Sequence, residues 1–304
     1  MKIPDEQYKG RKDLTEFTVP EGVQEIGEHA FADCTNLRRI TLPDTLRKIS
    51  AFAFINCMSL AEIRIPDSVT EIGPSAFFFC TSLKHFRFPR GMNGRPISHS
   101  VLGECGALET VEMPERTAGT LEMSFYACRA LRKVVLPDGV EKIGRDTFSA
   151  CNRLEEIYIP PTVRIIGSHS FAGCMNLRTL IIPDSVTEIY EEAFVICTQL
   201  ELLRLPVGVR FCCSRIHPRP DEVRGAGGCF LGAYALQTVI LGTKVFLSTG
   251  EMTDDALLLM HAALAADGDR KAMEIVRKDR AHVMQLLDDM YDPETKEKLL
   301  RRGI

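Results

Sequence analysis

Apolar residues recur along this chain in units of 23 residues, with polar positions between them. The repeating pattern is P-x-x-V-x-x-I-x-x-x-x-F-x-x-C-x-x-L-x-x-I-x-I, which gives each unit six or seven apolar side chains. One clear copy consists of Pro137, Val140, Ile143, Phe148, Cys151, Leu154, Ile157 and Ile159. A unit of this size cannot bury its own apolar side chains, so neighbouring units must stack. The pattern therefore predicts a solenoid.

Two residue types keep a fixed phase along the chain and establish the repeat. Prolines stand at positions 20, 43, 66, 89, 114, 137, 160, 183 and 206, with steps of 23 residues and one step of 25. Cysteines follow the same spacing at Cys34, Cys57, Cys80, Cys105, Cys128, Cys151, Cys174 and Cys197. Two ladders in phase over about nine copies exclude a chance pattern.

Each unit contains three predicted elements. The segment before the proline, such as LEEIYIP (154–160), alternates apolar and polar residues, which is typical of a β-strand with one buried face. Proline removes a hydrogen-bond donor and ends this main strand. A second short strand is predicted at segments such as VRIIG (163–167). The segment between this strand and the cysteine is predicted to be a short helical turn.

The segment PDSVTEIGPSAFFFCTSL, Pro66 to Leu83, closely resembles the BspA-type leucine-rich repeat, a bacterial and protozoan repeat. The resemblance covers about residues 14–247, in about ten units. It implies an α+β repeat fold, namely a right-handed leucine-rich-repeat solenoid with a parallel β-sheet, followed here by a small α-helical C-terminal segment. Relatives of this type are often exported surface proteins that bind host or partner proteins.

Three regions are expected along the chain. Residues 1–13 are an N-terminal cap segment, residues 14–247 the solenoid, and residues 251–304 a helical C-terminal cap or small helical domain. Insertions near 90–100 and 207–229 interrupt the solenoid, and such insertions form loops that often bind partners. Thr117 and Thr120 are predicted at the Val and Ile positions after the first insertion. Asp254 and Asp255 are candidate helix caps, and Pro293 begins the last predicted helix.

Composition narrows the classes of partner. The 304-residue chain has a net charge of −4, which argues against nucleic acid as a partner. No apolar run approaches the roughly 20 residues of a membrane-spanning helix, so no membrane is expected. The N-terminal segment MKIPDEQYKGRKDLTEF lacks an apolar signal-peptide region. This favours a cytoplasmic location, although the relatives are often cell-surface proteins.

The eight regularly spaced cysteines leave three alternatives: a metal ladder, a disulfide framework or buried structural thiols. Each cysteine lies midway between a core Phe (Leu102 in one copy) and a core Leu, where a small side chain with a weak S–H donor suits a tight corner. The last copy has Ala233 instead, which a packing role allows and a ligand role does not. Cysteines in register on successive turns also point their sulfur atoms in one direction, whereas a zinc ion needs ligands that approach it from different directions. We expect a structural ladder.

A second group of metal-ligating residues gathers in the second insertion: Cys212, Cys213, His217 and Cys229. Adjacent cysteines seldom both ligate one zinc ion, and the group has no C-x-x-C frame. Cys212 is predicted at the Ile position of the repeat, and Cys229 at the Ala position before Phe. We therefore expect no metal and no other cofactor.

Strand alternation predicts which side chains of the main sheet face solvent. The C-terminal half of this face carries contiguous apolar residues, which are Val135, Tyr158, Ile181 and Leu202. The N-terminal half is charged, and its candidate binding residues are Arg64, His85 and Arg87. An aromatic and aliphatic cluster with a charged flank is typical of a protein-binding surface. Two alternatives are that Val and Ile simply favour strands, or that a terminal segment covers them.

No catalytic arrangement is found in the sequence. The chain has no G-x-S-x-G, H-E-x-x-H, Walker or Rossmann motif, and the repeat separates its seven histidines. We expect a non-catalytic scaffold that binds an unidentified protein through the main-sheet face or the 206–229 loop. One alternative is a structural protein that associates with itself as a homo-oligomer. Another is an adhesin-like protein that binds host or matrix proteins if it is exported.

Overall fold

The computed structural model describes residues 1–212, 229–230, 233, 235–241, 244–247, 253–289 and 292–304. Within these residues the chain forms a parallel β-solenoid of about nine turns, followed by four C-terminal helices. The predicted repeat fold is therefore confirmed. Of the two interrupting segments, the second lies outside the described residues over 213–228.

The main sheet runs along one side of the solenoid and receives one short strand from almost every turn. Its strands are β2 (Glu16–Thr18), β4 (Arg39–Thr41), β7 (His85–Arg87), β8 (Thr110–Glu112), β10 (Lys133–Val135), β12 (Glu156–Tyr158), β14 (Thr179–Ile181), β16 (Leu202–Leu205), β18 (Thr238–Leu241) and β19 (Lys244–Leu247). The strands pair in parallel within the groups β2-β4, β7-β8, β10-β12 and β14-β16-β18, and only β18 and β19 form an antiparallel pair among the described residues. The strands from β2 to β16 are short because each ends one or two residues before the proline of its repeat.

A second parallel sheet runs beside the main sheet. Its strands are β1 (Lys2–Ile3), β3 (Glu25–Ile26), β5 (Lys48–Ile49), β6 (Glu71–Ile72), β9 (Arg116–Leu121), β11 (Asp138–Ile143), β13 (Ile165–Ile166), β15 (Glu188–Tyr190) and β17 (Arg210–Cys212). They form two hydrogen-bonded groups, β1-β3-β5-β6 and β9-β11-β13-β15-β17. The first strand pairs Lys2 with Glu25 and Ile3 with Ile26, so residues 1–13 begin the same stacking pattern.

The segment from the second sheet to the cysteine, here called the Phe–Cys corner, is not the predicted helical turn. In the corner Gly73–Cys80, the backbone N–H groups of Ser75, Phe77 and Phe79 donate to carbonyls of the next turn at 3.0–3.1 Å. Ser75 and Phe79 have positive φ, at 51° and 61°. The equivalent two positions of the other regular turns are also left-handed. Because left-handed residues alternate with ordinary ones, every second N–H group points along the solenoid axis. The corner therefore forms a row of hydrogen bonds between successive turns.

Turns approach each other closely where the second sheet meets the corner. A Cβ atom added to Gly73 would lie 2.5 Å from the backbone nitrogen of Ala51, and one added to Gly167 would lie 2.8 Å from the carbonyl carbon of Gly144. Real Cβ atoms do not reach such distances. At Gly73 and Gly167 the backbones therefore come too close for a side chain, whereas the equivalent position of other turns holds Ser50 or Tyr190.

Two register predictions are corrected by the strand pairing. Leu121, not Thr120, pairs with Ile143 and is buried, while Thr120 pairs with Lys142. Phe211, not Cys212, pairs with Ile189. In both turns the core residue stands one position away from its place in the 23-residue count. The burial of an apolar residue decides the register, because a one-residue slip would turn it outward.

The first insertion is ordered and adds to the core. It forms a short 3-10 turn, Arg90–Met92, and the side chains of Met92 and Ile97 are buried. Gly91 allows this turn to lie against the preceding one, since an added Cβ would be 2.3 Å from the Val69 carbonyl oxygen. The insertion thus replaces a regular second strand between β6 and β9.

The centre of the solenoid is a column of stacked phenylalanines. Ring centroids of successive turns lie 5.0–5.4 Å apart in the pairs Phe31–Phe54, Phe54–Phe77, Phe125–Phe148, Phe148–Phe171, Phe171–Phe194 and Phe194–Phe230. Leu102 interrupts the column in the turn after the first insertion. Tyr8 extends it at the N-terminal end and stacks on Phe31 at 5.0 Å.

The C-terminal region contains four helices, which are α1 (Asp254–Ala266), α2 (Arg270–Lys278), α3 (Arg280–Asp289) and α4 (Pro293–Arg301). Thr253, not Asp254 or Asp255, caps α1, and its hydroxyl accepts from the Ala256 N–H at 3.0 Å. Asp292 caps α4 in the same way, with Pro293 in the first turn. Among the helices that are described, none has the length and apolar character needed to cross a membrane.

Candidate functional site

The exposed face of the main sheet brings together most of the apolar candidates. Val135 and Tyr158 are each 54% exposed and pair directly across β10 and β12. Ile181, 45% exposed, occupies the same outward position on β14. The residues beside them, such as Val134, point inward and are buried. Val135, Tyr158 and Ile181 thus form one column about 10 Å long over three adjacent turns, here called the apolar patch.

Leu202 lies beside this column. It faces outward on β16 but at the first position of the strand, where it pairs with Thr179 and Thr238. The residue that continues the column of the apolar patch is Arg204. Leu202 is only partly exposed and so forms a margin of the patch.

The charges around the apolar patch are paired with one another. Lys133 and Glu156 form an ion pair of 2.5 Å, and Arg204 binds Asp184 at 2.9 Å. Arg204 also donates to the Ile182 carbonyl oxygen at 3.0 Å. Because these side chains are exposed, each pair adds little to stability. Their mutual pairing leaves the rim without strong net charge, so apolar contact is the main interaction that the patch offers.

The charged candidates lie on the N-terminal half of the same face but are not equivalent. Arg64 is exposed and makes no ion pair with any other described residue. Arg87 is held by Asp67 at 2.8 Å. His85 is exposed, and its Nδ1 lies 2.7 Å from the hydroxyl oxygen Oγ1 of Thr110. Arg64 is therefore the candidate cation that remains available to a partner.

Two shallow clefts lie beside the main sheet. One, of about 470 Å³, is at the first insertion and is lined by Asp67, Arg87, Arg90 and Glu115, among others. The other, of about 490 Å³, lies beside the start of β12 and includes Glu155, Glu156 and Arg178. Both are open and mostly polar, and their charges are largely paired. Neither resembles an enclosed substrate site.

The eight cysteines of the ladder are all buried, and none forms a disulfide bond. Each thiol donates to a backbone carbonyl oxygen of the preceding turn. Cys151 Sγ lies 3.1 Å from the Phe125 oxygen, and Cys57 Sγ lies 3.1 Å from the Phe31 oxygen. The sequence contained the spacing that gives this arrangement but no sign of the bond itself.

Burial makes these thiols poor nucleophiles. Loss of contact with water raises the pKa of Cys105, Cys151 and Cys197 to about 12. The pKa of Cys80 is raised well above its ordinary value, again chiefly by burial. Since the thiolate is the reactive and metal-binding form, the ladder is chemically inert at neutral pH.

The candidates of the second insertion are only partly described. Cys213 and His217 lie outside the described residues, so their placement is not stated. Cys229 is buried and takes the predicted position before Phe230, where its thiol donates to the Tyr190 oxygen at 3.2 Å. Among the residues that the structure does describe, no group of three or more His, Cys, Asp or Glu side chains could hold a metal ion.

The fold and its residues define a class of protein, the parallel solenoid built from leucine-rich repeats. The family model of the BspA type leucine rich repeat region (6 copies) matches residues 1–122 and 120–216. This chain belongs to that family. None of the curated proteins matches it significantly.

Solved bacterial structures share the repeat. A leucine-rich repeat protein from Bacteroides ovatus ATCC 8483 is 28% identical, with a TM-score of 0.68 over 80% of this chain. The match covers 59% of that protein, so this chain spans less than two thirds of its length. The T. pallidum leucine rich repeat protein is 34% identical over 51% of this chain and 72% of its own, with a TM-score of 0.47. A leucine rich cell surface protein from Faecalibacterium prausnitzii A2-165 is 23% identical over 80% of this chain and 83% of its own, with a TM-score of 0.41.

Proposed function

We propose that this protein is a non-catalytic scaffold that binds a partner protein through the main-sheet face. The observation that carries the proposal is the apolar patch, in which Val135, Tyr158 and Ile181 are about half exposed on adjacent turns. The core does not need these side chains, because the inward residues of the same strands already fill it. An exposed aromatic side chain between two aliphatic ones is a common centre of a protein interface.

The chemistry of the face favours a protein over other ligands. The patch has one aromatic ring, Tyr158, and the chain has no tryptophan, so it offers few stacking surfaces for sugars. Its paired rim supplies no concentrated positive charge for nucleic acid. A partner surface with apolar or aromatic side chains at its centre would complement the patch, and Arg64 would extend contact toward an acidic group on that partner.

The proposal is tested by capture from lysate of the source organism and from extracellular-matrix extracts, with the full chain as bait. The test variant is Tyr158→Glu/Ile181→Glu, which places two charges in the patch. The matched control is Thr18→Glu/Thr41→Glu, which makes the same kind of change in the same outward column, six turns before Tyr158 and six turns before Ile181, respectively. Circular dichroism confirms that all three baits are folded.

We expect a protein that wild type and the control capture and the test variant loses. Equal capture by all three baits would reject the sheet face and favour the 206–229 loop or the helical region. Light scattering over a range of concentrations addresses the alternative of a self-associating structural protein. A monomer at every concentration would reject self-association, whereas an oligomer that Tyr158→Glu/Ile181→Glu dissolves would identify a second copy as the occupant of the patch.

A further inference from the structure

A buried histidine lies where the C-terminal helices meet the solenoid. His261, on α1, is 3% exposed. Its Nδ1 is 2.8 Å from the carbonyl oxygen of Leu257, one turn earlier in the same helix. Its Nε2 is 3.4 Å from the backbone nitrogen of Gly208, in the turn between β16 and β17. The imidazole ring therefore joins the helices to the last described turns of the solenoid.

The two partners of the ring allow only one form of the imidazole. A carbonyl oxygen can only accept, so Nδ1 must carry a hydrogen and donate to Leu257. A backbone N–H can only donate, so Nε2 must be unprotonated and accept from Gly208. A proton added to Nε2 would face the Gly208 N–H, and two donors would meet in a buried site. We propose that His261 is a pH-sensitive latch, closed when the ring is neutral, whose protonation releases the helices from the solenoid.

The surroundings of the ring provide little compensation for a positive charge. Burial lowers the pKa of His261, and the hydrogen bond to Leu257 and the charge of Asp269 at the start of α2 oppose this only in part. On the solenoid side, Arg210 is paired with Glu188 on β17 and β15. On β19, Lys244 is paired with Asp267 at 2.5 Å. Arg210 and Lys244 are thus already held in ion pairs, and Asp269 is the carboxylate that acts on the ring.

The direction of the pH effect follows from the lowered pKa. Above the ordinary histidine pKa of about 6.5, the ring is neutral in the closed and in the open state, and docking has its full strength. As the pH falls below that value, the open state takes up a proton and the closed state does not. Acidification therefore favours release of the helices.

A second histidine keeps the helices together while the latch opens. His282 on α3 lies on the surface and binds Asp255 on α1 at 2.8 Å. This hydrogen bond to Asp255 raises the pKa of His282, so mild acid charges the ring and strengthens the pair. The helices would consequently leave the solenoid as one unit. The turn at Gly208, where an added Cβ atom would lie 3.6 Å from Ile275 Cδ1 on α2, would then be uncovered.

The test is hydrogen–deuterium exchange of the full chain at pH 7.5 and 5.5, corrected for the intrinsic pH dependence of exchange. We expect exchange to rise by up to about tenfold at pH 5.5 in peptides from 202–212 and 253–289, since one site with a pKa of about 6.5 in the open state sets that limit. Peptides from residues 14–200 should be unaffected. Unchanged exchange in the two junction regions would overturn the proposal.

Two variants assign the effect to one ring. His261→Gln can accept from Gly208 but does not titrate, so its exchange should be the same at both pH values. His282→Gln is the matched control and should retain the response of wild type to pH. A response to pH in His261→Gln as large as that of wild type would contradict the latch.

The wild-type protein provides a measurement that does not depend on the folding of a variant. Nitrogen-15 NMR of the imidazole reports both the tautomer and the titration of His261. We expect a hydrogen on Nδ1 at pH 7.5 and a midpoint below 6.5. A hydrogen on Nε2, or a midpoint at or above 6.5, would overturn the proposal.

Discussion

The Phe–Cys corner and the main-sheet face differ in how far their residues vary from turn to turn. In the corner, phenylalanine and cysteine return at the same positions in nearly every turn, and both are buried. On the outward face of the main sheet, equivalent positions carry Arg64, Arg87, Glu112, Val135 and Tyr158. The two regions differ in what surrounds their side chains. Corner side chains contact other turns of the chain, whereas side chains on the main-sheet face contact solvent.

This difference indicates that corner residues determine the stability of the fold and that residues of the main-sheet face determine binding. A corner side chain must fit identical side chains above and below it, so the repeat restricts it to one size and one polarity. An outward side chain touches only the edges of its neighbours and can vary without loss of the fold. Substitutions in the corner should therefore affect unfolding, and substitutions on the face should affect binding.

The largest effect is expected in the phenylalanine column. Phe148→Ala should lower the free energy of unfolding by about 3–5 kcal/mol, because it leaves a cavity between two stacked rings. Phe148→Leu is the matched control, since the chain itself has Leu102 at the equivalent position, and it should cost about 1 kcal/mol. Guanidinium unfolding followed by circular dichroism measures both. Equal losses for the two variants would show that the position is not a packed one.

Close approach between turns gives the next effect. Gly73→Ala should cost about 1–3 kcal/mol, because its Cβ would lie 2.5 Å from the backbone of the preceding turn. Gly106→Ala is the control, since nothing lies within 4 Å of the added atom there. Thermal unfolding of the two variants distinguishes them. If Gly73→Ala were as stable as Gly106→Ala, the spacing between the turns would be wider than described.

The buried thiols make stability depend on alkaline pH. An unfolded cysteine loses its proton above about pH 9, whereas folded Cys151, with its pKa near 12, keeps it. The stabilising contribution is therefore complete below pH 9 and is lost as pH rises toward 12. Between pH 8 and 10 each such thiol should cost the fold about 1.4 kcal/mol.

The measurement compares wild type with Cys151→Ala in the presence of a reductant. Both lose stability between pH 8 and 10, because lysine ion pairs and the other thiols titrate too. The loss should be smaller in the variant by about 1.4 kcal/mol, the share of one thiol. An identical loss in the two proteins would mean that Cys151 ionises as easily in the fold as outside it.

The smallest effect on stability is expected on the main-sheet face. Tyr158→Glu/Ile181→Glu should change the free energy of unfolding by about 0.5 kcal/mol or less per site, because both side chains are about half exposed. The same guanidinium assay applies. A loss close to that of Phe148→Ala would show that the patch is covered by another part of the chain and is not available to a partner.

The sequence was sufficient for the features that stacking imposes. The 23-residue period, the main strands and the inward core follow from identical neighbours, and the alternation of strands predicted the exposure of Tyr158 and Ile181. The family resemblance added the architecture. These features are local and repeated, so each copy supports the others.

The features that were missed depend on backbone geometry or on contacts distant in the sequence. The corner needs left-handed φ at residues as different as His29 and Ile196, and no residue type marks those positions. The register at Phe211 does not follow the 23-residue count, and its partly buried ring packs against the core. The contact of His261 with Gly208 joins residues 53 positions apart, outside any repeat.

The interruption at Leu102 has a mechanical consequence. The aromatic column stops there, the second sheet is divided between β6 and β9, and one of the three hydrogen-bonding gaps of the described main sheet lies between β8 and β10. Three interruptions thus coincide near Leu102, and we expect the coupling between adjacent turns to be weakest there. In a solenoid each turn contacts only its neighbours, so a weak junction between two turns allows the segments on either side to unfold separately under force. Pulled from its ends, this chain should extend in two force steps, with the boundary near Leu102.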